Sequence, residues 1–521
     1  MTRFFNNPIL PGWYPDPSIC RAGEDYYIVT STFEYFPGLP IFHSRDLVHW
    51  RQIGHVLDRP SQLPLDGVRA SGGLYAPTIR YSQGVFYVIN TLVDGKTKAG
   101  NFIVTATDPA GPWSEPYWLE AAPGFDPSLF FDEDGRAWYT GCRMAANSQF
   151  EGHTEIWLQE LDLQAMRLIG EPSVIWDGAV KKGVWSEAPH IYKVNGYYYL
   201  LTAEGGTAHH HSVMVARSEK IAGPYEGNRC NPILTHRQLG LTHPIVGAGH
   251  ADLVVTPSGE WWAVLLAMRP YGGYYYNLGR ETFLAPVVWE DGWPVMCPGT
   301  GRVEFSYPVP NLGEQPWPET PERDDFTAPA LTMQWVSLRS APEAFMSLTE
   351  RTGNLRLRLR PEQLSEPTNP SFVGRRQQHI HFSAKTALEF SPASENECAG
   401  LALVQNNNFY FLFVVTKAAT PVVRLIKRAD GADQILAEQA VSGREFRLKV
   451  AADEQDYHFY YASQTGEWCT VAERVDGRIL STPVAGGFVG ATIAMYASSN
   501  GQESANHADF DWFEYAGHDA I

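Results

Sequence analysis

Three carboxylates in the first half of the chain stand in closely similar local settings. They are Asp16 and Asp126, each followed by Pro-Ser and an aliphatic residue, and Glu187, which precedes Ala-Pro-His-Ile. Two carboxylates that face each other across a cleft can hydrolyse an acetal, because one protonates the leaving oxygen while the other deprotonates a water. A third carboxylate beside them can raise the pKa of the acid through like-charge repulsion and can orient the substrate.

The elements that must position these acids form a fivefold repeat. In each repeat the short motif is followed by a turn and then by an aromatic-rich apolar run, with a period of roughly 50 residues, which is typical of a propeller blade. The five motifs occupy residues 16–19, 76–79, 126–129, 188–191 and 251–254. Residues 1–297 are therefore predicted to form a five-bladed β-propeller, in which the first strand of every blade lines the central axis.

This geometry would bring the three acids to one pocket and divide their roles. Structural needs alone rarely place three acids together, because repulsion and desolvation both oppose it. Glu187 follows Trp185 in the fourth repeat, and desolvation beside an aromatic wall would raise its pKa and suit a general acid. Asp16 lies in the first repeat and would be the base. Across the axis the two carboxyls would be on the order of 6.5–9.5 Å apart, which leaves room for a water and predicts inversion.

The composition excludes several classes of partner. The chain carries 58 acidic and 40 basic residues, a formal charge of −18, which argues against binding nucleic acid or anionic membranes. No stretch approaches the roughly 20 apolar residues needed to span a membrane, and residues 1–8 lack the apolar run of a signal peptide. The six cysteines are dispersed without metal-type pairs, so we expect reduced thiols and a cytoplasmic protein.

A proline-rich segment, residues 298–323, is predicted to link the propeller to a second domain. Residues 324–521 alternate apolar and polar side chains, most strictly at 355–360, which predicts half-buried strands of a β-sandwich. In the last strand Asp509 and Asp511 would share one face. Together with Asp325 near the start of the domain, they could hold a structural calcium through oxygen ligands; the alternative is a solvated strand face.

Seven stretches of the chain carry a resemblance to a known family: residues 7–18, 31–38, 124–128, 198–207, 249–252, 278–282 and 507–511. As a set they resemble glycoside hydrolase family 43, the β-xylosidase and α-L-arabinofuranosidase group with a C-terminal sandwich. The resemblance implies an all-β fold, a five-bladed β-propeller followed by a concanavalin-like β-sandwich. It also implies an inverting exo-glycosidase that removes terminal β-1,4-xylosyl or α-L-arabinofuranosyl residues from short oligosaccharides and requires no cofactor for the chemistry.

The resemblance also implies roles for particular residues. Asp16 would be the general base, Glu187 the general acid, and Asp126 the carboxylate that tunes the pKa of the acid and orients the sugar. Arg280 would reach sugar hydroxyls and the nearby acids. The remaining substrate contacts are expected from Phe33, Tyr75, Thr207 and His250.

Three features depart from the usual pattern of the family. Tyr75 stands where relatives have tryptophan, and Ser186 stands where they have threonine before the acid. Relatives also lend a sandwich phenylalanine to the pocket, from a loop that would fall here at residues 482–487, and this loop contains none. The choice between xyloside and arabinofuranoside therefore stays open. An endo-arabinanase and a non-catalytic sugar-binding propeller are the alternatives. The expected partners are a small oligosaccharide and further copies of the chain, in a dimer or tetramer.

Overall fold

The computed structural model of the chain describes residues 3–318, 320–463 and 466–519, and its regular structure is almost entirely β-strand. The all-β prediction is confirmed. None of the helices in these three ranges is long and apolar enough to cross a bilayer. The helical elements among the described residues are the α-helical turn Thr482–Ala485 and the 3₁₀ turns Arg237–Leu239, Pro342–Ala344 and Gly477–Leu480.

The first part of the chain forms five antiparallel sheets that follow one another in sequence without exchanging strands. Sheet 1 contains Ser18–Ala22, Asp25–Val29, Gly38–Ser44 and Arg51–Leu57; sheet 2 contains Gly73–Leu74, Thr78–Ser82, Val85–Val93, Gly100–Ala106 and Tyr117–Trp118. Sheet 3 contains Phe125–Phe131, Ala137–Met144, Thr154–Asp162 and Arg167–Trp176; sheet 4 contains Glu187–Val194, Tyr197–Glu204, Ser212–Ser218, Glu226–Gly227 and Leu234–Thr235. Sheet 5 contains Val246–Val255, Trp261–Met268, Glu281–Glu290 and Trp293–Met296.

This part of the chain is a propeller around a central axis. The innermost strand of each sheet contacts the innermost strand of the next, and that of sheet 5 contacts that of sheet 1, so the ring is closed. The second strand of sheet 5, Trp261–Met268, is buried at every residue but the first, because neighbouring sheets cover both of its faces. Its aromatic and aliphatic composition follows from this two-sided burial.

Segments outside the sheets close the ring and lie against it. Phe4–Asn6 pairs with Ser306–Pro308 in a separate two-stranded sheet. In the proline-rich segment, the indole of Trp317 donates to the carbonyl oxygen of His49 over 3.1 Å, and the guanidinium of Arg51 lies 3.8 Å from the Trp317 ring. The proline-rich segment is thus held against the outside of sheet 1.

The second part of the chain is a sandwich of two antiparallel sheets around one apolar core. The predicted alternation at 355–360 is visible in Leu355–Arg358, where both leucines are buried and both arginines are partly exposed. One sheet contains Arg323–Asp324, Met346–Ser347, Leu355–Arg358, Phe382–Glu389, Glu445–Asp453, Asp456–Ser463, Cys469–Asp476 and His507–Gly517. The other contains Ser371–Arg376, Cys398–Asn406, Phe409–Lys417, Pro421–Ala429, Ala432–Ala440 and Thr492–Ser498.

The sandwich packs directly on the propeller. Ser337–Leu338 pairs with Tyr35–Phe36 of the first repeat as a short two-stranded sheet. Backbones also approach closely at Gly490, where a Cβ atom would lie 2.5 Å from the carbonyl oxygen of Leu278. Only glycine fits this approach, which brings the sandwich segment around residue 490 to the mouth of the propeller axis.

The carboxylates expected to hold calcium do not come together. A β-bulge at Asp511 breaks the period-two alternation of the last strand, so Asp509 is buried while Asp511 is exposed. Asp509 accepts hydrogen bonds from Arg356 at 2.7 and 2.9 Å and from Arg351 at 2.9 Å, whereas Asp325 pairs with a different arginine. Within the described residues no group of three or more His, Cys, Asp or Glu side chains could hold a metal ion. The presence of a structural calcium stays a prediction.

Candidate active site

A cavity of about 460 Å³ opens at the end of the ring where the innermost strands begin. All eight residues predicted to act in catalysis or substrate binding line this cavity, and they come from all five repeats. The cavity is lined by Asp16, Phe33, Tyr75, Ala76, Val93, Phe125, Asp126, Trp185, Glu187, Gly206, Thr207, His250, Arg280 and Phe488. Of the predicted residues, only the three proposed calcium ligands lie elsewhere.

The strands are locally distorted where they carry the pocket residues. A β-bulge interrupts the ladder between Phe125 and Ser128, and another lies between Glu187 and His190. Bulges re-aim side chains away from the regular faces of a sheet. Non-glycine residues in or beside the pocket adopt left-handed backbone conformations, each costing roughly 1–3 kcal/mol: Asp16 (φ 55°), Phe33 (φ 53°), Asp126 (φ 50°), Trp185 (φ 54°), Ala188 (φ 51°) and His250 (φ 50°). The backbone is therefore strained at several of the residues that line the pocket.

Asp16 is buried and held as an anion. Arg280 donates to one of its oxygens over 2.8 Å, Ser31 donates to the other over 2.6 Å, and His250 Nδ1 lies 3.7 Å away. Burial alone would raise the pKa of Asp16, but the Arg280 charge, His250 and the Ser31 hydroxyl together hold the pKa below its ordinary value. Asp16 is therefore ionised at neutral pH and can accept a proton.

Glu187 and Asp126 have the opposite electrostatic setting. Burial raises the pKa of Glu187 well above its ordinary value, and the negative charges of Asp126 and Asp16 raise it further. The pKa of Asp126 is also raised, first by burial and then by Asp16, while the backbone N–H of Ala188 opposes the shift. A protonated Glu187 beside an ionised Asp16 gives the pocket an acid and a base at the same pH.

Arg280 connects the two sides of the pocket. Besides Asp16, its guanidinium donates to Thr207 Oγ1 over 2.8 Å and to the carbonyl oxygen of Phe488 over 3.2 and 3.3 Å. It also lies 5.7 Å from the ring of Phe33. The planar guanidinium of Arg280 thus binds the Asp16 carboxylate, the Thr207 hydroxyl on the opposite wall and the backbone of the sandwich domain. A lysine ammonium could not bind all three.

Aromatic rings form a continuous wall around the acids. Phe33 stacks on Phe488 at 5.8 Å and meets Tyr75 edge to face at 5.8 Å. Tyr75 then meets Phe125 at 6.5 Å, and Phe125 meets Trp185 at 6.5 Å. Such faces suit the apolar side of a sugar ring. Trp185, Phe125 and Phe488 were not among the predicted contacts.

The expectation that the sandwich lends no phenylalanine to the pocket is wrong. The predicted loop, residues 482–487, contains a helical turn followed by Gly486 and Gly487, both with positive φ (73° and 81°). These glycines reverse the chain, so the next residue, Phe488, enters the pocket, where its N–H donates to Ser71 Oγ over 2.9 Å. The sequence feature that could have predicted this contact is the glycine pair directly before an aromatic residue.

Comparisons with known proteins agree with this geometry. Residues 5–294 match the family model described as glycosyl hydrolases family 43, and residues 323–516 match the beta xylosidase C-terminal concanavalin A-like domain. A xylosidase/arabinosidase of Butyrivibrio fibrisolvens is 48% identical and the match covers 98% of each chain. A non-reducing end alpha-L-arabinofuranosidase of Bacteroides ovatus is 42% identical over 98% of this chain and 95% of its own. The crystal structure of a xylan beta-1,4-xylosidase from Bacillus halodurans superposes with a TM-score of 0.93 at 38% identity, covering 98% of this chain and 99% of that one.

Proposed function

The chain belongs to glycosyl hydrolase family 43, and from this we propose that it removes single β-1,4-xylosyl or α-L-arabinofuranosyl residues from the non-reducing ends of short xylan-derived oligosaccharides, with inversion. The observation that carries the proposal is the pairing of an ionised Asp16 with a Glu187 of raised pKa in one aromatic-walled pocket. The names of the relatives support the two substrate classes.

The proposed reaction uses only side chains of this protein. Asp16 takes a proton from a water as that water attacks the anomeric carbon, and Glu187 gives its proton to the glycosidic oxygen as the carbon–oxygen bond breaks. Asp126 and Arg280 hold sugar hydroxyls, and burial of Glu187 beside Asp126 and Asp16 keeps Glu187 protonated. Both proton transfers are supplied by carboxylates, so the chemistry requires no cofactor.

Two observations support exo-action over the endo-arabinanase alternative. The backbone of the sandwich segment that carries Phe488 is tied to Arg280, and its N–H is tied to Ser71 in the loop between the first two sheets. The sandwich therefore covers a side of the pocket that an endo-acting enzyme would need as an open groove.

A comparison of two aryl glycosides tests the proposal. We expect the wild-type protein to hydrolyse both 4-nitrophenyl β-D-xyloside and 4-nitrophenyl α-L-arabinofuranoside, and Asp16→Asn to lose activity on each to the same extent. Asp132→Asn is the matched control, because Asp132 is buried like Asp16 but accepts hydrogen bonds from Tyr198 and Lys193 outside the pocket. Retention of binding without turnover by the wild-type protein would instead support the sugar-binding alternative.

The number of blades, the domain limits, the cellular compartment and the oligomeric state are also proposals. The closed contacts of the innermost strands support five blades, within domain limits of 1–297, 298–323 and 324–521. All six cysteines are free thiols, which supports a reducing compartment such as the cytoplasm. We propose a dimer or tetramer, which light scattering of the purified protein would test.

A further inference from the structure

Arg80 lies in a buried polar cluster beneath the pocket. Each of sheets 1 to 5 contributes a side chain to this cluster. The Arg80 guanidinium donates to both oxygens of Asp252, over 2.8 and 3.2 Å, and to His190 Nδ1 over 2.9 Å. Burial lowers the pKa of His190 to about 3, so this imidazole is neutral and can accept. We call the following residues the Arg80 cluster: Ser18 from sheet 1, Arg80 from sheet 2, Ser128 from sheet 3, His190 and Tyr192 from sheet 4, and Asp252 from sheet 5.

Asp252 is the second centre of the cluster and is fully buried. Ser18 Oγ and Tyr192 Oη each donate to it over 2.6 Å, and Arg80 supplies the opposite charge. Burial alone would raise the pKa of Asp252, but Arg80 and the hydrogen bonds hold the pKa far below its ordinary value. The cluster is thus a charged, hydrogen-bonded tie between the innermost strands.

Most of the cluster residues lie just C-terminal to the pocket residues, at the points where the regular strand pairing begins. Ser18, Ser128 and Asp252 each follow a pocket residue by two positions, and His190 follows Glu187 by three. In sheets 3, 4 and 5 the ladder is interrupted before them and resumes at Ser128, His190 and Asp252. Asp16 and Asp126 therefore have no ladder partner, and Glu187 pairs only with Ala203 before its ladder is interrupted. The next fixed points along their strands are the cluster residues.

We propose that Arg80 is a positioning residue that sets the separation of the Asp16, Asp126 and Glu187 carboxylates by tying their strands together from below. The inference rests on the proposed roles of these three acids. Arg80 suits this task because its planar fork reaches Asp252 on one side and His190 on the other, whereas a lysine ammonium offers one donor centre.

Loss of the Arg80 tie would change the pKa of the general acid, whereas a general loss of stability of the ring would not. The charged groups facing Glu187 are Asp126, Asp16 and Arg280, with the two aspartates raising its pKa and Arg280 lowering it. If the strands spread, the aspartates move away and water enters, so the pKa of Glu187 falls. The basic limb of the kcat/KM profile then moves to lower pH, since the acid must be protonated to act.

Arg80→Lys tests this, because it keeps the positive charge but loses the fork. We expect kcat to fall roughly tenfold to a hundredfold, as for misplacement of catalytic groups by about 1 Å, with KM changed by less than about twofold. The basic limb should shift to lower pH. Arg356→Lys is the matched control: Arg356 also forms a forked pair with a buried aspartate, Asp509, but in the sandwich. It should lower the thermal midpoint and leave kcat and the pH profile unchanged.

A wild-type kcat and pH profile for Arg80→Lys, or an equal loss in Arg356→Lys, would overturn the proposal. Should Arg80→Lys fail to fold, Tyr192→Phe decides, because it removes one hydrogen bond to Asp252 and no charge; a smaller shift in the same direction supports the proposal, and an unchanged profile overturns it. Full activity of Asp16→Asn and Glu187→Gln would instead refute the proposed function itself. The two failures are therefore distinguishable.

Discussion

Replacing Arg280 by methionine should move the acid limb of the kcat/KM profile to higher pH. The substitution keeps most of the side-chain volume but removes the charge 2.8 Å from Asp16. It also removes the hydrogen bonds that Arg280 gives to Thr207 and Phe488. Ser31 and His250 remain beside Asp16 and still lower its pKa, but each does so less than Arg280.

The size of the shift follows from the balance at Asp16. Burial raises its pKa and is the largest single influence, while Arg280 is the largest that lowers it. An adjacent arginine lowers the pKa of an aspartate by about 1–3 units, each worth about 1.4 kcal/mol. Without Arg280, burial prevails and the pKa of Asp16 rises. The base must be ionised, so activity is lost as pH falls through this pKa. The acid limb should therefore move up by about 1–3 pH units.

The assay is the pH dependence of kcat/KM on an aryl xyloside, fitted for the position of the acid limb rather than for absolute rate. The position matters because losing sugar contacts also lowers the rate at every pH. Arg424→Met is the control, since Arg424 pairs with Glu438 over 2.7 Å on the sandwich, away from the pocket. It should leave the limb where it is. An unshifted or lowered acid limb in Arg280→Met would refute the electrostatic account of Asp16.

Two further substitutions separate the acid from the aromatic wall. Glu187→Gln should abolish hydrolysis of xylobiose but spare part of the rate on glycosides with very acidic leaving groups, which need little protonation; equal loss on both substrates would remove Glu187 from the role of acid. Phe488→Ala should raise KM roughly tenfold, equivalent to about 1.4 kcal/mol of binding free energy, because the Phe488 ring lines the pocket beside Phe33 and Tyr75 and the variant loses its contact with the sugar. Phe305→Ala serves as the control, because Phe305 is 39% exposed and is distant from Phe488 in the sequence. An unchanged KM in Phe488→Ala would count against a contact between Phe488 and the substrate.

The pocket could be predicted because it follows from a repeat. Equivalent positions of a propeller meet at the axis, so Asp16, Asp126 and Glu187 needed only the repeat register and no knowledge of side-chain packing. Arg280 and His250 came from the family resemblance, and both lie in the same cavity.

Features that depend on local backbone geometry or on the meeting of distant segments could not be predicted in this way. Phe488 reaches the pocket through a chain reversal at two glycines and through docking of the whole sandwich. Asp509 and Asp511 were assigned to one face by a period that a single bulge interrupts. Arg80 was not recognised because its cluster draws its side chains from all five sheets, and no local pattern marks such a meeting.

The central claim is that Asp16 activates a water and does not attack the sugar itself. Proton NMR during the first minutes of hydrolysis of an aryl β-xyloside, before mutarotation, tests it most directly. The account predicts that α-xylose is released first and that added methanol receives no xylosyl group, because no covalent intermediate forms. Initial appearance of β-xylose, or formation of methyl xyloside, would contradict the role assigned to Asp16.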